Sequence, residues 1–408
     1  MNDTDFDAFL ARLRGGAVAR ETDRRLLFDE VAELRRLGFA AARVPRESGG
    51  AGLTLEQLFT RLIALSAADS SLGHVWRGHI LFVESLLASP DAAYRELWFA
   101  RLRDGDLVGN AQSERHATAH LETVLDRDGE TLTITGTKYY TTGSIYADWI
   151  HLSALDGTDR VAATVSAHDP GTRSVDDWDG FGQPLTGSGT TTFDRVPVDP
   201  RDLVVHRGDA AAWHRTGALQ QLILLGVVAG IAQRALEDTV DYVRARRRTV
   251  GHAGEHLPSQ DPLVQAIVGQ LSSVVHTARA LVLAAARTLG ESGNGPDTAR
   301  ETLLEVFRVQ QVVLPLVLDA LSRLFEVGGA SAVGRASALD RHWRNVRTIA
   351  SHNPAVQRAA ALGQFELLGT LPEWEAPGAR PDAEPATTAP VPASATASAA
   401  VTVDGEAS

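Results

Sequence analysis

The stretch DRHWRNVRTIASHNPAVQ, residues 340–357, organises the interpretation of this chain, because it places His352 and Asn353 near the end of a long helical region. Pro354 disfavours helical geometry at the residue before it, and Ser and Asn are common helix caps, so the segment could be a simple helix terminus. Taken alone, a histidine and an asparagine ahead of a proline are a weak signal. The rest of the chain must decide between a structural turn and a functional site.

Length and composition describe an ordinary globular protein. The chain has 408 residues, of which 44% are apolar and 22% charged, enough for two or three packed regions. It has no cysteine, which excludes disulfides, thiolate catalysis and cysteine-ligated metal. The net charge of −12 argues against nucleic acid as the main partner, and no continuous apolar run suggests a membrane span. The N-terminus lacks a signal-peptide core, so we expect a cytoplasmic protein.

The early part of the chain has the apolar periodicity of helices. Thr54 and Gln57 form a capping-box pattern ahead of a buried stripe, which predicts a helix start at that point. A further apolar helix is predicted over about 75–87. We expect His74 and His79, near its start, to be packed or surface histidines rather than metal ligands.

The pattern changes to a period of two after residue 106. Such alternation is typical of half-buried strands, and Gly and Asp punctuate the gaps between the segments. We therefore predict a small antiparallel β region over about 108–205. The alternating segments are residues 131–135, 149–152, 161–165 and 190–193.

Helical patterns return near residue 209. Residues 219–232 are apolar nearly all round, as expected for a helix buried in a bundle. A second helix is predicted over 261–290 and a third over 302–324, where Pro315 should kink or break it. Residues 371–408 are rich in Ala, Pro, Thr and Ser, and cannot bury enough apolar surface to offset the entropy of ordering.

The order of these elements predicts an α+β fold with segregated layers. We expect an N-terminal helical domain over 1–107, a central antiparallel β domain over 108–207 and a C-terminal four-helix bundle over 208–370. A disordered tail over 371–408 follows. No GxGxxG pattern follows a predicted strand, so a nicotinamide-binding Rossmann domain is not indicated.

Several motifs, in the right order, resemble a known family. VPRESGGAGLTLEQ (44–57), GTKYYTTGSIYADWI (136–150) and FEVGGAS (325–331) resemble segments of the acyl-CoA dehydrogenase superfamily. NAQSER (110–115), DDWDGFGQPLTGSGT (176–190) and RHWRNVRTIASHNP (341–354) resemble its flavin-dependent monooxygenase branch, which includes dibenzothiophene monooxygenase. The resemblance implies an acyl-CoA dehydrogenase-like fold over about residues 20–370.

The resemblance also implies a two-component monooxygenase. Such enzymes take reduced flavin, usually FMN (FMNH2) with FAD possible, from a separate NAD(P)H-dependent flavin reductase. They react it with O2 through a C4a-hydroperoxyflavin and oxygenate sulfur, nitrogen or carbon of a small organic substrate. The resemblance further implies a homotetramer and no metal, and we expect neither nucleic acid nor membrane as a partner.

The family match assigns roles to particular residues. It places His352, Ser144 and Asn110 as polar, catalytic groups around the reactive face of the flavin. Histidine suits this position because its pKa lies near neutrality and it can both donate and accept hydrogen bonds. The flavin phosphate needs cations or free N–H groups, for which Arg246 is our choice from the triplet 246–248. The full set of flavin-binding residues is Asn110, Ala111, Gln112, Ser113, Glu114, Arg115, Tyr140, Thr141, Thr142, Gly143, Ser144, Arg246, Ala330, Ser331 and His352.

The dehydrogenase and monooxygenase branches of the superfamily differ in whether they need a carboxylate base, and this chain lacks one in the expected segment. Many acyl-CoA dehydrogenases carry a glutamate base in the late segment that here reads ASHNPAVQ, residues 350–357, and this segment has no acid. Without a placed base, proton abstraction loses about 100- to 10,000-fold in rate. Because some dehydrogenases place the base on another helix, an FAD-dependent acyl-CoA dehydrogenase or oxidase remains the first alternative. A catalytically silent helical assembly protein is the second.

Overall fold

The computed structural model of the chain describes residues 2–115, 121–205, 209–247, 257–293 and 295–372. The predicted tail therefore lies outside the described residues from 373 onward. The N-terminal part is helical, as predicted. Its helices are α1 (Asp3–Thr22), α2 (Phe28–Arg36), α3 (Leu55–Ala68), α4 (Ser70–Val75), α5 (Arg77–Ala88) and α6 (Ala92–Arg103).

Local capping determines where these helices begin. The predicted capping box is confirmed, since Oγ1 of Thr54 accepts from the Gln57 backbone and the Gln57 side chain accepts from the Thr54 backbone. The helix predicted over about 75–87 is confirmed as α5, and the short helix α4 precedes it, separated from it at Trp76. Trp76 is completely buried, so packing of its indole decides the position of this break.

The central region forms one eight-stranded sheet in the described part of the chain. Its strand order is β6-β7-β3-β2-β4-β5-β8, and β1 pairs with β4. The sheet is mixed rather than wholly antiparallel, because β1 and the start of β2 run parallel to β4. The strand β1 enters directly from α6 and not through a hairpin, which removes the constraint to antiparallel pairing. The strands are β1 (Val108–Ala111), β2 (Val124–Asp128), β3 (Thr131–Lys138), β4 (Trp149–Asp156), β5 (Asp159–Ser166), β6 (Thr172–Ser174), β7 (Thr191–Pro197) and β8 (Leu203–Val205).

The C-terminal part is a helical bundle built around one long central helix. Helix α7 packs against α3 and against two further C-terminal helices, so that Leu222, Ile223 and Val227 are completely buried. The apolar stretch 219–232 is thus covered within a single chain. The C-terminal helices are α7 (Ala210–Ala245), α8 (Pro262–Glu291), α9 (Pro296–Arg323), α10 (Asp340–Ala350) and α11 (Ala355–Leu368).

Of the predicted kink or break at Pro315, the break is wrong, because helix α9 passes through this residue without interruption. A proline inside a helix removes one backbone hydrogen bond and costs about 3 kcal/mol. Val313, Leu314 and Val317 on either side of it are buried, and their packing offsets that cost.

Two helices are long and apolar enough to cross a membrane by length and composition alone, α7 and α8. In α7, 78% of the most apolar stretch is buried inside the fold, which identifies it as a core helix. In α8 the buried share of the corresponding stretch is only 17%, so most of its residues are half-buried or exposed.

The start of α10 is held against α7 by a buried polar cluster. The carboxylate of Asp238 accepts hydrogen bonds from Arg341 and, at 2.9 Å, from Nε2 of His342. Burial lowers the pKa of His342 to about 4, so its ring is neutral and donates through Nε2–H. The turn 351–354, which contains His352, follows at the other end of α10 and leads into α11.

Candidate active site

The first part of the candidate site lies where β1 meets α5 and the loop after β3. A Cβ atom at Gly78 would lie 2.6 Å from Cβ of Asn110, and one at Gly143 would lie 2.6 Å from the carbonyl oxygen of Val75. Gly143 also has φ of +83°, a left-handed conformation that favours glycine. Only glycine at these two positions allows the helices to approach the strand and the loop so closely.

Two of the three predicted catalytic residues are brought into direct contact here. The hydroxyl of Ser144 donates to the backbone carbonyl of Asn110 at 3.2 Å. Ser144 is buried, whereas Asn110 is half-buried and its side-chain amide forms no hydrogen bond with any described residue. In this arrangement the Asn110 amide is free to donate to a ligand, and the hydroxyl oxygen of Ser144 is available as an acceptor.

The loop over residues 140–144 is braced from behind. Thr141 Oγ1 donates to the carbonyl of Gly189 at 3.0 Å, and Thr142 Oγ1 and Ser188 Oγ are 2.8 Å apart. The two threonine side chains therefore point into the protein, while Tyr140 is exposed. Any contact of Thr141 and Thr142 with a flavin would use their backbone and not their side chains.

Within the predicted flavin-binding segment 110–115, Glu114 has a structural role. Glu114 accepts a hydrogen bond at 2.6 Å from Lys138, the only lysine of the chain, whose side chain is fully buried. Burial acts to raise the pKa of Glu114, but hydrogen bonds from Lys138 and from the backbone of Glu122 hold it below its ordinary value. Glu114 is thus engaged within the fold, whereas Ser113 and Arg115 are exposed at the surface.

The third predicted catalytic residue, His352, faces a second histidine. The ring centroids of His352 and His74 are 6.4 Å apart, with the planes at 62°. His74 lies in α4, two residues before Trp76, and is buried. It is packed, as the sequence predicted, but it also belongs to the candidate site.

Gln183 determines the tautomer of His74. Its side-chain N–H donates to Ser70 Oγ at 3.0 Å, which leaves its Oε1 facing Nδ1 of His74 at 3.1 Å. Nδ1 must therefore carry the proton, and Nε2 is a bare acceptor with no hydrogen-bond partner. The backbone N–H of Gln183 also donates to Asn345 in α10, so this residue of the 176–190 motif ties α4 to α10.

Arg77 is a cation that influences the pKa of both His74 and His352. Burial, with the nearby charge of Arg77 next, lowers the pKa of His74 to about 3. The pKa of His352 is also well below its usual value, chiefly through burial and then through Arg77 and His74. The side chain of His352 is nevertheless partly exposed to solvent, so a ligand can reach it. Both histidines are neutral at pH 7.

The predicted phosphate-binding residues form a separate group. Nη1 of Arg246 donates to the hydroxyl of Tyr242 at 2.5 Å, and a Cβ at Gly328 would lie 2.5 Å from that hydroxyl. Ala330 and Ser331, just beyond, are exposed. Arg248 lies outside the described residues. Among the described residues, no hydrogen bond, ion pair or ring contact joins this group to the one around His352 and Ser144.

Sequence reasoning missed three contributors to the site. The sequence pattern predicts only a packed or surface histidine at His74, does not single out Arg77, and includes Gln183 only within the motif 176–190. The available signal was the spacing of His74 and Arg77, three residues apart at a helical break. The meaning of that spacing depends on the approach of α10, which local sequence does not reveal.

The site around His352 is free of acids in the part of the chain that the structure describes. Apart from burial, the side chains that shift the pKa of His352 are Arg77, His74 and Asn353, and none of them is an acid. Burial alone shifts the pKa of Arg77. No group of three or more His, Cys, Asp or Glu side chains among the described residues could hold a metal ion. The arrangement offers neutral donors and acceptors and one cation, but neither a carboxylate base nor a metal.

Comparison with known proteins agrees with this architecture. The family model for the acyl-CoA dehydrogenase C-terminal domain matches residues 222–357. Dibenzothiophene monooxygenase of Rhodococcus erythropolis is 27% identical over 386 residues, covering 88% of this chain and 91% of that protein. The probable FMNH2-dependent monooxygenase SfnC of Pseudomonas putida is 28% identical over 372 residues, covering 88% and 90%.

A solved structure of a similar protein has the same fold. The FMN-bound crystal structure of TdsC from Paenibacillus sp. A11-2 superposes with a TM-score of 0.82 at 27% identity, covering 91% of this chain and 98% of that one. The chain therefore has an acyl-CoA dehydrogenase-like fold and is similar to flavin-dependent monooxygenases that share it.

Proposed function

We propose that this protein is a flavin-dependent monooxygenase that uses reduced FMN and O2 to oxygenate a small organic substrate at sulfur, nitrogen or carbon. The observation that carries the proposal is the acid-free constellation of His74, Arg77 and His352 beside Asn110 and Ser144. It retains polar groups for an activated oxygen and lacks the carboxylate that a dehydrogenase needs for proton abstraction.

The residues present fit a flavin ring. Nε2 of His74, an acceptor without a hydrogen-bond partner among the described residues, fits a ligand that donates a hydrogen bond. The loop 140–144 and the segment 113–115 would line the ring, and Arg246 with Ala330 and Ser331 would hold the phosphate. When bound and reduced, the flavin activates O2 and supplies the oxygen atom that is transferred.

The chain's own residues would orient the reactants and donate or accept a proton at the reacting oxygen. His352, neutral at pH 7, can donate or accept a hydrogen bond at the reacting oxygen, and the free Asn110 amide can donate a second. Buried Trp76 and Ser144 restrict water on the inner side of the cleft. Fixed dipoles in a site of low water content stabilise developing charge more strongly than water does.

Partners and assembly follow from the same proposal. A relative that is named FMNH2-dependent supports reduced FMN as the cofactor and, with it, a separate NAD(P)H-dependent flavin reductase. The large apolar side chains left exposed on the C-terminal helices, among them Leu263, Val312 and Leu316, support association of several copies, for which we propose a homotetramer. The separate phosphate-binding group would then belong to the site of a neighbouring copy. We further propose a cytoplasmic location.

The decisive experiment compares flavins in both redox states. Anaerobic titration should show reduced FMN bound more tightly than oxidised FMN or FAD. Exposure of the reduced complex to O2 with a sulfur heterocycle or an amine should give an oxygenated product. Tight retention of FAD and its reduction by an acyl-CoA without a reductase would favour the dehydrogenase or oxidase. No flavin binding at all would favour a helical assembly protein.

A further inference from the structure

Arg77 is a buried cation for which the described residues supply no partner. It begins α5, only 6% of its surface is exposed, and its Nε has no hydrogen-bond partner. No residue in the described part of the chain forms a hydrogen bond or an ion pair with it. A buried guanidinium is normally paired with a carboxylate, because removing an unpaired charge from water is costly. The missing partner is therefore an anion.

The surroundings of Arg77 strengthen its positive potential. Burial lowers its pKa only to about 10, so the guanidinium stays charged at neutral pH. The two histidines that it influences, His74 and His352, are neutral and do not compensate it. Helix α5 begins at Arg77 after Trp76, which makes no side-chain cap hydrogen bond, so the first N–H groups of the helix add to the positive end of its dipole.

We propose that Arg77 binds an anionic group of the substrate, a carboxylate, sulfinate or sulfonate, beside His352. The inference rests on the proposed monooxygenase function and names the substrate class of the same site. The planar fork of a guanidinium matches the two oxygens of such groups, and burial strengthens the contact. A substrate held in this way presents its uncharged part to the oxygen-transferring face near Asn110.

The placement of Arg77 favours the substrate over the flavin as the source of the anion. The residues predicted to contact the flavin ring lie mainly on β1 and on the loop after β3. Arg77 is grouped instead with His74 and His352, on the helical side of the cleft. Gly78, the next residue, packs directly on Asn110, so Arg77 is within one residue of the boundary between the two sides.

The test measures thermal unfolding of the full-length protein with four anions and their uncharged counterparts. The pairs are acetate and acetamide, benzoate and benzamide, methanesulfinate and dimethyl sulfone, and benzenesulfinate and methyl phenyl sulfone. We expect at least one anion to raise the Tm of the wild type by several degrees while its neutral counterpart does not. The variant Arg77→Met should lose about 10- to 100-fold in affinity for that anion.

The same variant gives a second, independent result. Because Arg77 is unpaired, Arg77→Met without ligand should melt at the same temperature as the wild type or above it. Arg20 is the matched control, since it is 5% exposed but pairs with Asp69 at 2.9 Å. Arg20→Met should therefore melt well below the wild type. A similar loss in Arg77→Met would show that Arg77 has a stabilising partner in the fold, and would overturn the proposal.

Flavin binding separates the two sources of the anion. If the substrate is the source, Arg77→Met keeps the wild-type affinity for reduced FMN and loses only the response to anions. If Arg77→Met loses reduced FMN while no anion stabilises the wild type, the flavin is the partner and the proposal is wrong. Oxygenation of neutral substrates alone, with no anion bound, would overturn this inference and leave the monooxygenase function standing.

Discussion

His352 and Ser144 have different contacts, and these predict different contributions to the reaction. Ser144 already donates its proton to the carbonyl of Asn110, so it must act as an acceptor or exchange this hydrogen bond. His352 has a neutral ring that faces His74 across a cleft and is open to a ligand. Of the predicted catalytic residues, His352 is thus the one most able to move a proton.

Replacing His352 by alanine should separate flavin binding from oxygenation. A deleted hydrogen bond costs only about 1 kcal/mol of stability, so His352→Ala should fold and bind reduced FMN. Loss of a hydrogen-bond partner for the charge that develops in the transition state lowers the rate about 100- to 1,000-fold. The variant should therefore release H2O2 in place of the oxygenated product. Product and H2O2 are measured in parallel by chromatography and a peroxide assay. The adjacent Asn353→Ala is the milder control, and wild-type product yield from His352→Ala would remove His352 from the mechanism.

His79 should make stability depend on pH. Its Nε2 donates to the carbonyl of Ala40 at 2.9 Å and its Nδ1 accepts from the Val108 N–H, so only the neutral ring satisfies both bonds. Burial lowers its pKa to about 4. Because this pKa is depressed, the stabilisation is complete above the unfolded value near 6.5 and is lost as pH falls towards 4. The contribution amounts to about 2–4 kcal/mol.

The measurement is the Tm of the wild type and of His79→Gln between pH 7.5 and 4.5. Gln cannot titrate, so the variant should lose less stability than the wild type over this range. His276, exposed on α8, supplies the control His276→Gln, which should keep the wild-type profile. Parallel profiles for wild type and His79→Gln would contradict the prediction.

At the scale of elements, helix α9 shows tertiary packing overriding local preference. Pro315 lies inside a helix that runs from Pro296 to Arg323, yet the helix is continuous. The side chain of Pro315 is exposed, so it contributes little packing to balance its backbone cost. The buried neighbours on the other face keep the helix intact.

Replacing Pro315 by alanine should therefore stabilise the protein. Pro315→Ala restores a helical N–H donor and removes the clash with the preceding turn, for an expected gain of about 1–3 kcal/mol. Chemical denaturation and the Tm measure the change. Pro296, at the first position of the same helix, is the control, because proline is well accommodated there and Pro296→Ala should have little effect. A lower Tm for Pro315→Ala would show that the proline is itself packed or required.

At the scale of the whole molecule, the reason for expecting an assembly has changed. The sequence suggested that the apolar stretch 219–232 needed other chains to cover it, but α3, α8 and α9 of the same chain do so. The large apolar side chains that remain exposed on the C-terminal helices are Leu263 on α8, Val312 and Leu316 on α9, and Val356, Leu367 and Leu368 on α11. The expectation of a tetramer therefore rests on these side chains and not on α7.

Charges on the exposed apolar residues of α9 should weaken the proposed assembly. Val312 and Leu316 lie four residues apart, on one side of the helix, and both are exposed. We expect sedimentation velocity to show a tetramer for the wild type at micromolar concentration, and smaller species for the variant Val312→Glu with Leu316→Glu. The exposed pair Ser273 and Ala280, changed to Glu, is the matched control and should stay tetrameric. A wild type that sediments as a monomer would refute the tetramer.

The sequence by itself determined the features that depend on near neighbours. The capping box at Thr54 and Gln57 marks the start of α3, and Asp209 caps α7 where the helical pattern returns. The motifs in order predicted the fold and three polar residues of the site, two of which are in contact. Caps, periodicity and motifs involve residues that are close in sequence, so they can be interpreted before the chain is folded.

Only the tertiary structure decided which distant groups meet. The parallel pairing of β1 with β4, the pair Lys138–Glu114 and the meeting of His74 with His352 join residues about 24 to 278 positions apart. The unpaired charge of Arg77 is of the same kind, because pairing depends on what surrounds a side chain in space. Burial and the partners of charged groups are properties of the packed whole, and no local pattern encodes them.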